Sequence, residues 1–341
     1  MKRVTLALLG FGNVGRAFVR LLAEKREEML EKHALEFSIT GICTGSHGSL
    51  IDETVLDGLK AAALIENGMS FQPLQSAPSA RDALDFIRLC PADVLLENSP
   101  VNYADGQPAV SHARAALEKG MHVVTANKGP VVHNYLELSA LAQKHKKRFL
   151  FESAVMDGAP IFSLFRNSLP AARVLSFEGI LNSCTNLMLG RMQQGETLEQ
   201  AVQYAQSIGI AETDPSGDVD GWDAAVKVSA LVSVLMDSPL TPQQVQRTGI
   251  RDITRQQLLD AETRGERIKL VCRASRGAGW ISASVAPEPV KPDSPLYSVN
   301  GTSSFVTFRT DCLPGLGILE SDPGPRTTAY GLLADLLEIY A

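Results

Sequence analysis

One lysine and several carboxylates lie close together at residues 209–227, which read GIAETDPSGDVDGWDAAVK. Lys227 belongs to the stretch WDAAVKVSALVSVLM (222–236), whose only other charged residue is Asp223. A helix this apolar around its circumference is expected to be buried, and a buried lysine needs a partner or a function. Lys227 is therefore a candidate proton donor. The alternatives are a structural ion pair with Asp223 on the same helix face, or Asp223 at position N3 behind an Asp220 cap.

A second lysine, Lys128, ends the segment HVVTANK at 122–128. The segment has the character of a buried strand, so Lys128 is expected where a ligand would meet the end of that strand. Its ammonium could polarise a carbonyl or hold a developing negative charge. A phosphate contact or a contact at the start of the next helix is the alternative.

The middle acids of the 209–227 segment are predicted to be loop and cap residues. Asp214 precedes a proline, which is a turn signal, and Asp218 and Asp220 are grouped with it outside the site. A calcium loop starting at Ser216 would place a lysine, Lys227, at the twelfth position. Because that position requires a bidentate glutamate, a calcium loop is excluded.

A glycine turn opens the chain. Residues 4–22, VTLALLGFGNVGRAFVRLL, have the pattern of a buried strand, a turn and an amphipathic helix. The spacing G-x-G-x-x-G predicts a tight turn, close approach of the backbone to a pyrophosphate, and close packing of helix and strand. The predicted cofactor contacts in this turn are Gly10, Phe11, Gly12, Asn13, Val14 and Gly15. A glycine turn in an unrelated α/β protein is the alternative.

Strands and helices then alternate along the first half of the chain. The predicted strands are 35–43, 93–99, 121–127 and 148–153, and the predicted helices are 79–90 with Ser79 as cap, 107–120 and 131–146. This alternation favours an α/β fold with a doubly wound parallel sheet of the Rossmann type. Ligands of such sheets bind beyond the carboxyl ends of the strands, where Asn98, Ser99 and Lys128 are predicted to contact the cofactor.

The end of the second strand bears on which cofactor is bound. NAD-binding proteins usually place an acid there for the ribose 2′-hydroxyl. This chain has CTGSHGS at 43–49 and no acid before Asp52. Because small hydroxyls and His47 would tolerate a 2′-phosphate better than a carboxylate would, we expect NADP, with NAD as the alternative.

In the second half, residues 174–189 have the pattern of a strand running into a helix. Further strand patterns lie at 268–275, 280–290, 304–310 and 315–320, and further helix patterns at 197–208, with Thr197 as cap, and at 222–236. They predict an α+β domain with a mostly antiparallel sheet. A last helix at 327–340 is expected to return to the nucleotide half. The predicted organisation is a nucleotide-binding domain (1–152), a substrate-binding and dimerisation domain (153–322) and the C-terminal helix (323–341).

Bulk composition excludes several function classes. The formal net charge of −6 over 341 residues argues against a nucleic-acid or anionic-membrane surface as the main partner. No apolar stretch approaches the length of a membrane span, and no cleavage site follows the short apolar N-terminal run. Five scattered cysteines without a Cys-x-x-Cys pair indicate reduced thiols, so a cytoplasmic location is expected.

Three segments together resemble the homoserine dehydrogenase family: VVTANKGP (123–130), GILNSCTN (179–186) and the 209–227 segment. The resemblance implies NAD(P)H-dependent interconversion of L-aspartate 4-semialdehyde and L-homoserine, on the route to threonine, methionine and isoleucine. It also implies a homodimer through the second domain. Many members carry a C-terminal amino-acid-sensing domain, and this chain is expected to lack one.

The resemblance also implies residue roles. Lys227 would donate the proton and Lys128 would polarise the carbonyl, while Glu212, Asp223 and Gly209 would bind the zwitterionic substrate. Gly324, in the segment SDPGPR (321–326), would contact the cofactor. A monovalent cation, Na⁺ or K⁺, would be held near Glu152 by the carbonyls of Val155, Asp157 and Ala159.

The chain departs from the family pattern at three other places, one of which is SDPGPR (321–326), an altered form of the family's late glycine-rich turn. It has Ser183-Cys184-Thr185-Asn186 where the family has Gly-Thr-Thr-Asn, and Met156-Asp157 near a usual glycine pair. Another small amino- or hydroxy-acid dehydrogenase on the same frame is one alternative function. A non-catalytic NADP-binding sensor is the other, although a sensor would need neither lysine.

Overall fold

The computed structural model describes residues 1–75 and 79–340. The chain divides into two compact units. Unit 1 combines Met1–Pro160 with Gly324–Ala341, and unit 2 is Ile161–Pro323. In the described part of the chain, no helix is both long and apolar enough to cross a membrane.

Unit 1 is built on a sheet that is parallel except at one edge. Its strands are β1 Lys2–Leu9, β2 Leu35–Cys43, β3 Ser49–Ile51, β4 Val94–Glu97, β5 His122–Thr125 and β6 Phe149–Leu150. The strand order in this described sheet is β3-β2-β1-β4-β5-β6, and only the β2–β3 pairing among its pairs is antiparallel. The order reverses direction between β1 and β4, so a ligand crevice is expected at the carboxyl ends of these two strands.

The first helices of unit 1 are α1 Asn13–Glu24, α2 Arg26–His33, α3 Gly58–Glu66, α4 Ala83–Leu89, α5 Ala109–Lys119 and α6 Lys128–Lys144. Two predicted starts were wrong. Helix α4 is capped by Asp82, whose side chain accepts from Asp85 N, and not by Ser79. Helix α6 begins at Lys128, because the Asn127 side chain caps it, whereas the sequence pattern placed its start near Val131.

Unit 2 contains a second, mostly antiparallel sheet. Its elements in chain order are β7 Val174–Ile180, α7 Ser183–Gln193, α8 Leu198–Ser207, α9 Ser216–Val219, α10 Trp222–Leu235, β8 Gln246–Arg247, α11 Arg255–Thr263, β9 Arg267–Arg276, β10 Ile281–Val290, β11 Ser304–Thr310 and β12 Leu316–Glu320. The strand order is β12-β11-β7-β9-β10-β8, with β8 parallel to β10. The predicted α+β character of this half is confirmed.

The last helix, α12 Pro325–Tyr340, belongs to unit 1 and packs against α1. Leu332, Leu333 and Leu336 are at most 1% exposed and join the core formed by β1 and α1. Each fully buried leucine contributes roughly 1.5–3 kcal/mol relative to an exposed one. The predicted return of this helix to the nucleotide half is therefore confirmed, and apolar burial is its main cause.

Candidate active site

The glycine turn connects β1 to α1 at the predicted crevice of unit 1. Gly10 has φ +90°, and its N–H donates to the Cys43 carbonyl at 2.9 Å. A Cβ at Gly10 would lie 2.2 Å from the Asn98 carbonyl oxygen, so only glycine fits there. A Cβ at Gly15 would lie 2.8 Å from the Gly10 carbonyl oxygen, which explains the close packing of helix and turn.

Gly12 differs from the other two glycines because nothing lies within 4 Å of the position its Cβ would take. It stands at the N-cap of α1, which has no side-chain cap, so the backbone N–H groups of the first turn remain available for an anion. Phe11 is buried, at 3% exposed, and Asn13 is exposed with its Oδ1 accepting from Arg16. Val14 packs against the core of unit 1.

Asn98 and Ser99 follow β4 and lie directly beside the glycine turn. The buried amide nitrogen of Asn98 has no hydrogen-bond partner in the described residues. A buried unsatisfied donor at this edge of the sheet suits a bound ligand that accepts a hydrogen bond. Ser99 is held by Glu97, whose carboxylate accepts from the Ser99 hydroxyl and lies 3.3 Å from His112 Nδ1. The open face at Gly12 and the Asn98 amide thus fit a dinucleotide.

Lys128 and Gly324 occupy the starts of two other helices of unit 1. Lys128 is half-buried in the first turn of α6, directly after the cap residue Asn127. Gly324 precedes α12, where its carbonyl accepts from Thr327 Oγ1 at 2.7 Å. Sequence reasoning missed Glu97, which is fully buried at the end of β4. The available signal in the sequence was an acidic residue at the end of an otherwise apolar strand.

Lys227 lies in unit 2, in the second turn of α10. Its Nζ donates to the Leu181 carbonyl at 2.7 Å and lies 3.2 Å from Asp223 Oδ2. The side chains of Lys227 and Asp223 are 14% and 11% exposed. An ammonium group has three donors, and within the described residues these two contacts leave one of them for a ligand oxygen. The predicted partnership of Asp223 and Lys227 on one helix face is confirmed.

Helix α10 begins differently from the alternative considered from sequence. Its N-cap is Gly221, with φ +78° and no side-chain cap bond. Asp223 is therefore the second helical residue and does not stand at N3 behind Asp220. The Asp220 carboxylate instead pairs with Arg251 Nε at 2.7 Å. The Asp223 carboxylate faces Lys227 from this position.

Asn182 joins Asp223 to a second acid, Asp218. The amide nitrogen of Asn182 donates to Asp218 Oδ1 at 2.7 Å and to Asp223 Oδ2 at 3.0 Å. We call Asn182, Asp218, Asp223 and Lys227 the acid–lysine cluster. The sequence interpretation grouped Asp218 with the loop acids, whereas the structure places its carboxylate in this cluster. The sequence offers only a weak signal for this placement. The left-handed backbone at Gly221 separates α9 from α10, so helical spacing does not show that the two helices share a face.

Burial raises the pKa of Asp218, and the negative charge of Asp223 raises it further. Hydrogen bonds from Asn182 and from the Cys184 thiol, together with the Lys227 charge, oppose this shift. A carboxyl group whose pKa is raised by folding holds its proton more tightly than in the unfolded chain. Its ionisation therefore lowers stability as pH rises from the ordinary value of 3.8 through the folded pKa. A cationic ligand beside Asp218 would remove this penalty.

Glu212 and Gly209 lie in the loop that precedes α9. Glu212 is exposed, and in residues 1–75 and 79–340 its carboxylate forms no hydrogen bond or ion pair. Gly209 has φ +76° and ends α8, with its N–H donating to Gln206 at 3.0 Å. The structure therefore does not bring either residue into the acid–lysine cluster.

The segment after β6 contains the residues expected to hold a cation. Glu152 is 2% exposed, and its N–H donates to Asp335 Oδ2 at 2.8 Å. The segment is largely buried, and none of the backbone hydrogen bonds of the described turns and loops ends on the carbonyl oxygens of Val155, Asp157 or Ala159. Buried carbonyls are normally paired, so this oxygen-rich loop fits a hard monovalent cation.

Side chains offer no separate metal centre in the described ranges, where no group of three His, Cys, Asp or Glu residues could hold a metal ion. The loop has a second unusual feature. Met156 and Asp157 have φ +51° and +44°, the left-handed region that glycine adopts most easily. These two residues thus adopt the backbone conformation that is expected for the glycine pair usually found near this position in the family that the sequence resembles.

Comparison with known proteins decides between the possible dehydrogenases. Residues 160–337 match the family model described as homoserine dehydrogenase, and residues 10–152 match the model described as homoserine dehydrogenase, NAD binding domain. The chain belongs to the homoserine dehydrogenase family. It is accordingly an NAD(P)-dependent oxidoreductase that acts on a CH–OH group of a small molecule.

Three relatives of the family illustrate the match. The NAD(+)-dependent homoserine dehydrogenase of Pseudomonas canavaninivorans is 36% identical over 100% of this chain and 97% of its own length. The homoserine dehydrogenase of Methanocaldococcus jannaschii is 36% identical over 98% of each chain. A hyperthermophilic archaeal homoserine dehydrogenase solved with NADPH superposes with a TM-score of 0.84 at 28% identity, covering 99% of this chain and 98% of that one.

Proposed function

We propose that this chain interconverts L-aspartate 4-semialdehyde and L-homoserine with the acid–lysine cluster at its centre. The arrangement of Lys227 carries the proposal, because this ammonium is fixed by the Leu181 carbonyl and Asp223 with one donor left over. Reduction of an aldehyde creates negative charge on its oxygen, and a positioned ammonium can supply the proton. The bound nicotinamide cofactor supplies or accepts the hydride.

The acids of the cluster suit the amino group of the substrate. The charge of Asp223 is matched by Lys227, whereas Asp218 faces the neutral donors Asn182 and Cys184 and the like charge of Asp223. A substrate ammonium beside Asp218 would balance this excess of negative charge. We therefore add Asp218 to the substrate-binding residues, and Glu212 and Gly209 are proposed to join them on the loop before α9.

In unit 1, Lys128 is proposed to polarise the substrate carbonyl. Gly12 and Asn98 offer respectively an open backbone approach and an unsatisfied donor to the cofactor. The remaining cofactor contacts are proposed at Gly10, Phe11, Asn13, Val14, Gly15, Ser99 and Gly324. Glu152 with the carbonyls of Val155, Asp157 and Ala159 is proposed to hold Na⁺ or K⁺.

NADP is proposed as the preferred cofactor, with NAD accepted. The loop after β2 presents Thr44, Ser46 and His47, and the Ser46 hydroxyl lies 2.8 Å from His47 Nδ1. The nearest acid along the chain, Asp52, has its carboxylate engaged by Thr54 at 2.6 and 2.8 Å. The ratio of kcat/KM for the two cofactors tests this preference, and a ratio favouring NAD would refute it.

The decisive experiment follows the absorbance of reduced cofactor with L-homoserine as substrate. We expect activity in the wild type and a loss of kcat of at least about a hundredfold in Lys227→Ala, as for removal of a general acid–base group. Lys291→Ala is the matched control, because Lys291 is an exposed lysine of the same unit. A wild type without homoserine-dependent activity would refute the proposal.

The roles of the two lysines need a separate measurement. If Lys227 moves the proton, Lys227→Ala abolishes the solvent isotope effect on the residual rate and Lys128→Ala retains it. The reverse outcome would exchange the two roles.

A homodimer in the cytoplasm is proposed as the working form. The edge strand β12 exposes Leu319 at 59%, and an apolar exposed edge favours association with another chain. The buried free thiols of Cys43, Cys90, Cys184 and Cys272 suit a reducing compartment. Light scattering after size exclusion tests the dimer, and Leu319→Lys is expected to shift the mass toward the monomer.

A further inference from the structure

Two carboxylates of the acid–lysine cluster share a single neutral donor. Asn182 is 3% exposed, and its Nδ2 donates to Asp218 Oδ1 at 2.7 Å and to Asp223 Oδ2 at 3.0 Å. Neighbouring like charges favour protonation of one partner, while hydrogen bonds to the charged forms oppose it. Asn182 is thus the group that stabilises both carboxylates as anions at once.

The orientation of the Asn182 amide is fixed from the other side. Its Oδ1 accepts from Thr185 N at 2.7 Å and from Thr185 Oγ1 at 3.1 Å, which is the N-cap of α7. An amide whose oxygen caps the helix must present its two N–H donors to the acids. One side chain therefore fixes the start of α7 and the carboxylates of α9 and α10 together.

We propose that Asn182 is the positioning residue for ammonium recognition, which it secures by keeping Asp218 and Asp223 ionised side by side. The inference rests on the proposed function of the acid–lysine cluster. The titratable groups that face Asp218 are Cys184 of α7 and Asp223 and Lys227 of α10. The Lys227 ammonium is already held by Asp223 and Leu181, so the Asn182 amide, with the Cys184 thiol beside it, is the donor that keeps Asp218 able to bind a substrate cation.

Loss of the amide donor makes a specific prediction about pH. Without it, the carboxyl of Asp218 keeps its proton to a higher pH, and a protonated Asp218 no longer attracts an ammonium group. The pH below which KM for L-homoserine begins to rise should therefore move upward. A merely structural disturbance would raise KM at every pH without moving this midpoint.

Asn182→Ser is the informative variant, because serine caps a helix about as well as asparagine but is too short to bridge two acids. The matched control is Thr197→Ala, which removes the capping box of α8 in the same unit. Asp carboxyl carbons labelled with ¹³C are titrated by NMR in the ligand-free protein, and the signal missing in Asp218→Asn identifies Asp218. KM and kcat are measured over the same pH range.

In Asn182→Ser we expect the Asp218 midpoint to rise by about one pH unit, and KM on the acid side to reach about ten times the wild-type value. Thr197→Ala moves neither the Asp218 midpoint nor the midpoint of the KM profile. An unchanged Asp218 midpoint in Asn182→Ser would overturn the positioning role whatever the activity. A wild type inactive on homoserine would instead overturn the proposed function, and ammonium recognition with it.

Discussion

Gly10 and Gly12 allow the fold and the cofactor site to be perturbed separately. An alanine Cβ at Gly10 would lie 2.2 Å from the Asn98 carbonyl oxygen and 2.8 Å from Ser99 N. The φ of +90° adds a backbone cost of about 1–2 kcal/mol for an L-residue. Moving the end of β4 to relieve the overlap costs about 1–3 kcal/mol more. We expect Gly10→Ala to lose about 2–5 kcal/mol of unfolding free energy.

Gly12→Ala should behave in the opposite way. Its φ of −76° is ordinary for alanine, and nothing lies within 4 Å of the added Cβ. We expect unfolding free energy within about 0.5 kcal/mol of the wild type. The methyl group would nevertheless occupy the space through which a pyrophosphate approaches the backbone, so the Kd for NADPH should rise at least about tenfold.

Urea unfolding gives the stability of both variants, and quenching of protein fluorescence by NADPH gives the Kd. Gly12→Ala with wild-type affinity would refute the assignment of this turn to the pyrophosphate. Gly10→Ala with wild-type stability would refute the close approach of the turn to Asn98. Because the two substitutions add the same methyl group two residues apart, each serves as the control for the other.

Three further outcomes are expected. Asp218→Asn should raise the melting temperature at pH values above the folded pKa of Asp218, because it removes a carboxylate whose raised pKa costs stability. The gain should vanish below the ordinary pKa of 3.8, and calorimetry across pH checks this. Asp157→Gly should leave the urea midpoint nearly unchanged, since relief of backbone strain at φ +44° offsets the loss of one hydrogen bond. Met156→Gly should instead lower the unfolding free energy by about 1–3 kcal/mol, because it removes a buried side chain. Leu332→Ala should cost about 2–5 kcal/mol, while Arg326→Ala, which breaks an exposed ion pair with α1, should leave the unfolding midpoint unchanged.

Elements with a local cause were predictable from the sequence. The strand Leu35–Cys43 and the helix cap at Thr197 were placed correctly, because apolar runs and capping side chains act within a few residues. The start of α4 was misplaced because two polar residues could each cap it, and only the contact of Asp82 with Asp85 N decides between them.

The site was predictable in part for the same reason. Asp223 and Lys227 share one helix face, so their contact follows from spacing alone. Asp218 is joined to them by the amide of Asn182, which lies 36 residues earlier in the chain. This contact depends on the tertiary fold and leaves no periodicity in the sequence. For that reason the sequence pattern led us to group Asp218 with the loop acids.

The return of α12 has a consequence for biosynthesis on the ribosome. Unit 2 is continuous in the chain, whereas unit 1 takes α12 from residues that follow unit 2. The surface of α1 that receives Leu332, Leu333 and Leu336 therefore stays uncovered until α12 emerges. All of unit 2 is therefore translated before unit 1 is complete, which departs from the usual N-terminal-first order in which domains become ready to fold on the ribosome.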